Sequence, residues 1–141
     1  MRRKIFFDAN ILIDLINADN GLNKQTIFLF SQLEKEKKVF YCSPTSFSIT
    51  YYFLGEIIKN KKLLNSKIVD LFSNFVFTKE NSDIMRDVMN SEFKDLEDAL
   101  QYFSALDSDV DFIITKNFYD FDKSSIPVYH PLHFINEFLI N

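Results

Sequence analysis

Three short stretches hold carboxylates in places from which they could act together. Asp8 directly follows the apolar run Lys4–Phe7, in Asp8-Ala9-Asn10. Asp98 lies within Asp95-Leu96-Glu97-Asp98-Ala99-Leu100, and Asp120 within Tyr119-Asp120-Phe121, shortly after Asn117. Acids gathered in one cleft repel each other unless a cation neutralises them. Oxygen ligands of this kind suit Mg²⁺ or Mn²⁺, with water filling the rest of the shell. Each stretch also has a plain structural reading. Asp8 or Asn10 caps a helix beginning near Ile11, Asp95 and Glu97 complement a helix dipole, and Asn117 with Asp120 makes a turn. Asp98 fits that reading less well. It shares a stripe with Asp95, Tyr102 and Ala105 beside an apolar face, where a half-buried lone carboxylate is costly.

The elements that must position these groups can be read from periodicity. Lys4–Phe7 is a short apolar strand. Ile11, Leu12, Leu15 and Ile16 have helical spacing, with Gly21 ending that region and Asn23 capping a helix that runs to about Lys37. Val39–Cys42 is a second strand, and Ser43-Pro44 opens a helix reaching about Ile58. A helix over about 65–73, a strand at 75–78 and a helix at Ser82–Met89 follow. The helix over 95–106 presents Leu96, Ala99, Leu100, Phe103 and Leu106 inward. The stretch 111–115 is the cleanest buried strand, 127–130 is a last short one, and Pro131 begins a terminal helix. Strands alternating with helices predict an α/β fold with a mostly parallel, roughly five-stranded sheet covered on both faces. In such sheets ligands bind beyond the carboxyl ends of the strands, which is where Asp8, Asn117 and Asp120 fall.

Composition sets the limits. The 141 residues are enough for one domain, 1–141, and an apolar share of 47% with 26% charged is an ordinary globular balance. One cysteine, Cys42, allows no intrachain disulfide and suits a reducing cytosol. No stretch approaches the ~20 apolar residues of a membrane span, and the basic start is broken at Asp8 too early for a signal peptide. These features predict a cytoplasmic protein. The net charge of −4 is unevenly spread. Residues 80–111 hold ten acids against Arg86 and Lys94, whereas 57–69 hold Lys59, Lys61, Lys62 and Lys67 and no acid. The lysines could neutralise phosphates; both regions could equally be solvated helix faces.

The chain resembles the PIN-domain family, in its VapC-like toxin subgroup, over nearly its whole length. Residues 4–14 resemble the family's opening strand, with its first metal-binding Asp and a small polar residue two places on. Residues 93–101 resemble the third-acid helix, and 111–121 the fourth strand and the polar turn after it. The resemblance implies a three-layer α/β/α sandwich and a Mg²⁺- or Mn²⁺-dependent endonuclease acting on RNA. It implies Asp8 and Asp98 as the principal metal-binding acids, Asn10 hydrogen-bonding within the site, and Asn117 where many relatives have Asp, with Asp120 nearby. Asp14 is either a supporting group or a solvated helix residue. Lys59, Lys61, Lys62 and Lys67 are candidates for steering RNA. An antitoxin packing over the active-site side and a homodimer are the partners the resemblance suggests, and the Tyr51-Tyr52-Phe53 run offers either an apolar groove or core.

One departure stands out. Relatives usually carry an acid on the helix after the second strand, and residues 45–52 hold none; alignment puts Ile49 at that position. Glu56 lies two turns further on, ~10 Å of helix rise away. A site short of one carboxylate would bind metal more weakly, so a catalytically weak or inactive module that binds RNA or protein is the alternative. A phosphotransferase using Asp8 as nucleophile would want a second Asp where Asn10 stands. His130 and His133 fall outside the carboxylate group.

Overall fold

The computed structural model describes residues 3–17 and 23–139. Gly21, read as a helix end, lies outside them. The chain runs β1 (Lys4–Phe7), α1 (Ala9–Ile16), α2 (Lys24–Lys35), β2 (Val39–Cys42), α3 (Pro44–Ile57), α4 (Lys61–Phe72), β3 (Phe75–Phe77), α5 (Ser82–Met89), α6 (Leu96–Asp107), β4 (Phe112–Ile114), β5 (Val128–Tyr129) and α7 (Pro131–Phe134). A 3₁₀ turn, Phe118–Phe121, joins β4 to β5, and α7 widens into a π turn at Ile135–Leu139.

The sheet is parallel throughout, in the order β3-β2-β1-β4-β5. Alternation along β1 sorts its side chains between two cores. Ile5 and Phe7 face the apolar residues of α1, α2, α3, α4 and the C-terminal turns. Phe6 and β4's Ile113 face α5 and α6. Two helical layers on one sheet make the three-layer α/β/α sandwich. Chain order reverses beside β1: it first adds β2 on one side and later β4 on the other. A crevice opens at such a switch point, at the carboxyl ends of the strands.

Several helices start where a side chain satisfies the free N–H groups of the first turn. Ser43 accepts from Ser46 N, Asn60 from Leu63 N, Asn81 from Ile84 N and Asp95 from Glu97 N and Asp98 N. Asn60 explains why α4 begins four residues earlier than its apolar spacing suggests. Asn23 precedes α2 but makes no such bond; its side chain donates to the carbonyls of Asn17 and Asp14. The inner face of α6 is also rotated from the expected one. Leu96 and Leu106 are exposed, while Ala99, Tyr102 and Ala105 are buried in the core that holds Phe6 and Ile113.

Candidate active site

Asp8 ends β1 and caps α1, and it is only 3% exposed. Its Oδ1 accepts from Ala9 N (2.6 Å), and its Oδ2 accepts from Asn10 Nδ2 (2.8 Å) and Thr115 Oγ1 (2.7 Å). Desolvation raises the Asp8 pKa, against the lowering influence of Thr115, Ala9, Gln101 and Asn10. The cap and the carboxylate site expected separately for Asp8 are thus one arrangement.

Thr115 follows β4 and is fully buried. Besides donating to Asp8, its Oγ1 accepts from Asn117 N (3.0 Å). Asn10 closes the loop, its Oδ1 accepting from Lys116 N (3.1 Å). The ends of β1 and β4 are therefore stitched by side chains as well as by the Asp8 N to Ile114 O bond (3.1 Å).

Asp98, in the first turn of α6, is half-buried. Its pKa is raised to about 7, first by desolvation, then by the charges of Asp8, Asp95, Asp120 and Glu97. Asp98 thus lies within electrostatic reach of both Asp8 and Asp120, which come from other strand ends. Glu97 is raised as well, by desolvation and then by Asp95 and Asp8. The three ion pairs among the described residues include none of these acids. Asp98 and Asp120 line a cleft of about 430 Å³ with Asp95, Tyr119, Lys94 and Lys123.

The remaining expected residues divide. Asn117 enters the network through its backbone N–H, and Thr115 makes the side-chain bond to Asp8 at this strand end. Asp14 is neither solvated nor free: it is buried, pairs with Lys116 Nζ at 2.7 Å and accepts from Thr26 Oγ1. Glu56 is exposed near the far end of α3. A helix rises about 1.5 Å per residue, so Glu56 stands roughly 20 Å from the strand ends where α3 begins, and a shifted register does not bring it in. The α3–α4 connection with Lys59, Lys61 and Lys62 lies at that same far end, and Lys67 lies midway along α4. Sequence spacing gave no hint that this hairpin carries the lysines away from the cleft.

Other residues went unremarked in the sequence. Ser46 and Thr50, both fully buried, occupy the inner face of α3. Ser46 Oγ donates to Gln101 Oε1 (2.8 Å), which also accepts a long bond from Ala9 N (3.4 Å). A neutral relay, rather than an acid, connects α3 to Asp8. His130 is taken up in capping, its Nδ1 accepting from Leu132 N, and burial pushes the Cys42 thiol well above its ordinary range.

Among the described residues no three His, Cys, Asp or Glu side chains converge into a cage for a metal ion. The donor set nevertheless fits a hard divalent cation. Mg²⁺ keeps much of its water and is commonly held by one or two carboxylates together with substrate phosphates, and Asp8 and Asp98 repel each other in the absence of a compensating positive charge.

A doubly wound parallel sheet with carboxylates gathered near its switch point defines a class: an α/β domain suited to chemistry on a cation and the anion it attracts. A family model described as the PIN domain matches residues 4–119, and the chain belongs to that family. It is 29% identical over 124 residues to Ribonuclease VapC1 of Aquifex aeolicus, covering 84% of this chain and 86% of that protein. Its fold resembles VapBC2 from Rickettsia felis bound to a promoter DNA fragment, with a TM-score of 0.68 at 14% identity over 90% of this chain and 98% of the other. FitAcB from Neisseria gonorrhoeae gives 0.66 at 16% identity, over 92% and 99%. VapC20 of Mycobacterium tuberculosis, described as a toxin that cleaves the sarcin–ricin loop, gives 0.61 at 14%, over 77% and 86%.

Proposed function

We infer that this chain is a metal-dependent endoribonuclease that hydrolyses RNA phosphodiester bonds and serves as the toxin of a type II toxin–antitoxin pair. The observation that carries this reading is the Asp8 carboxylate held by hydrogen bonds at the switch point, close enough to Asp98 for its charge to raise that pKa, in a family whose ribonucleases depend on divalent metal. Asp8 and Asp98 would hold the ion. Bound Mg²⁺ or Mn²⁺ supplies a Lewis acid at the phosphate and lowers the pKa of an attacking water.

The chain's own groups set the stage for that chemistry. Thr115 and Asn10 fix the Asp8 carboxylate so that its orientation does not depend on the ion. Asp120 adds negative charge on the open side of Asp98. Asn117 sits at the entrance to the turn that carries Asp120. Lys59, Lys61, Lys62 and Lys67 act at longer range, on long RNA. A toxin of this kind works on cytoplasmic RNA, and no helix among the described residues is long and apolar enough to cross a membrane.

The partner reading rests on a surface. Tyr52 (75% exposed), Phe53, Ile57, Leu63 and Val69 leave an apolar band on α3 and α4, whereas Tyr51 packs against the core. Apolar side chains left open on neighbouring helices are where a partner would bury surface. An antitoxin segment would cover it, and a second copy of the chain is the other occupant the family suggests.

One observation favours a catalytically weak module that binds RNA or protein. The inner face of α3 presents Ser46 and Thr50 to the site rather than an acid. Incubating the protein with a mixed RNA pool and Mn²⁺ separates the two readings. Cleavage that EDTA stops supports the nuclease; intact RNA in the presence of demonstrable Mn²⁺ binding supports the module.

A further inference from the structure

The cleft beside Asp98 is mostly acidic, which poses a problem for a polyanionic substrate. Each nucleotide of RNA brings a phosphate, and phosphates are repelled from Asp98, Asp120 and their acidic neighbours wherever no cation intervenes. Two side chains relieve that repulsion: Lys94 and Lys123 line the same cleft, both are exposed, and neither forms an ion pair among the described residues. Tyr119, 86% exposed and directly before Asp120, lines the cleft with them. An open aromatic face beside a charged site is the kind of surface on which nucleic-acid bases stack. Its mount is firm. The 3₁₀ turn Phe118–Phe121 is pinned by Phe121, buried in the core under α6, and the Tyr119 ring meets Phe118 in a T-shaped contact at 5.5 Å.

We propose that Tyr119 is a stacking platform for an unpaired base of the substrate, with Lys94 and Lys123 holding the adjoining phosphates. The inference rests on the nuclease reading for its substrate. Bases in a duplex are already stacked on one another and offer no free face to a protein ring, whereas splayed bases of loops and single strands stack readily on aromatic side chains. An aromatic platform flanked by lysines reads strand chemistry more than base identity, because every base has a π face.

The test measures binding and cutting separately on the intact protein. Binding of a labelled single-stranded RNA 12-mer is followed by fluorescence anisotropy with Ca²⁺ to neutralise the carboxylates, and cutting of the same RNA is followed with Mn²⁺. Tyr119→Ala weakens single-strand binding by about tenfold, the range expected for one lost stack, and Tyr119→Phe restores it. Neither substitution alters binding of the same sequence as a duplex. Lys94→Ala and Lys123→Ala each reduce the slope of log K against log salt by about 0.7, as for one phosphate contact on a single strand. Single-strand binding by Tyr119→Ala equal to that of the wild type overturns the proposal. So does a Tyr119→Phe defect as large as the alanine one, since the hydroxyl and not the ring would then be at work. Failure of the wild type to cut any RNA is a separate outcome: it counts against the nuclease reading, while the Tyr119 binding comparison still decides the platform.

Discussion

Asp8 and Asp98 are treated differently by their surroundings. Asp8 is buried but held by three hydrogen bonds, so its orientation is fixed before any ion arrives. Thr115→Val keeps the volume and removes the Oγ1 bond. Cleavage should fall about 10- to 100-fold, the usual effect of losing a group that orients a metal ligand, and Thr115→Ser should recover most of it; equal activity in Val and Thr would contradict the role. Asp98 is held up near pH 7 by burial and by like charges. A carboxyl whose folded pKa lies above its unfolded value binds more protons folded than unfolded between the two, so its contribution to stability is fully present below the unfolded pKa and is lost as pH rises through the folded one. The metal-free protein should therefore lose stability through Asp98 as pH rises from about 4 to about 7. Asp98→Asn abolishes that component. Its melting temperature relative to wild type should climb across this window and then level off, and adding Mn²⁺ should stabilise only the wild type. A pH-independent difference between the two would show that Asp98 does not carry the raised pKa.

The elements decide which of these groups meet. β1 and β4 are neighbours in the parallel sheet, so residues after their ends, Asp8 and Thr115, face each other although far apart in sequence. α6 contributes Asp98 from its first turn, while Ala99, Tyr102 and Ala105 on the same helix are buried in the core with Phe6 and Ile113 of the sheet. The α3–α4 hairpin does the opposite, taking its lysines about 20 Å from the strand ends. Charges separated by more than the ~8 Å Debye length of physiological salt hardly feel each other. Converting Lys59, Lys61 and Lys62 to Glu should therefore slow association with long RNA at low salt. Cutting of a short oligonucleotide at 0.15 M salt should be unchanged; a large loss there would place those lysines in the substrate path. On the same hairpin, Phe53→Glu should weaken binding of an antitoxin segment, read by calorimetry, and leave cleavage by the isolated chain intact.

For the whole molecule, the parts legible in the sequence were those that physics marks locally. Strand order along the chain, the cap at Ser43 and the carboxylates at strand ends all follow from patterns a few residues long. The α/β class and the family resemblance came from these. What escaped was what only packing decides. Thr115, Gln101 and Ser46 are neutral polar residues that look like ordinary strand or helix positions until burial forces each to find a partner. Asp14 could be read as a supporting group or as a solvated residue, because its partner, Lys116, is brought to it only by the sheet. Tyr119 looked like part of a turn, and its exposure beside the acids is a property of the folded cleft.

The central claim is that Asp8 and Asp98 together form the cutting site. The most direct measurement compares wild type, Asp8→Asn and Asp98→Asn for Mn²⁺-dependent cleavage of a mixed RNA pool, with circular dichroism showing that all three are folded. The account predicts that only the wild type cuts and that each substitution lowers cleavage by at least about a hundredfold. Cleavage by either folded variant at the wild-type rate would contradict it.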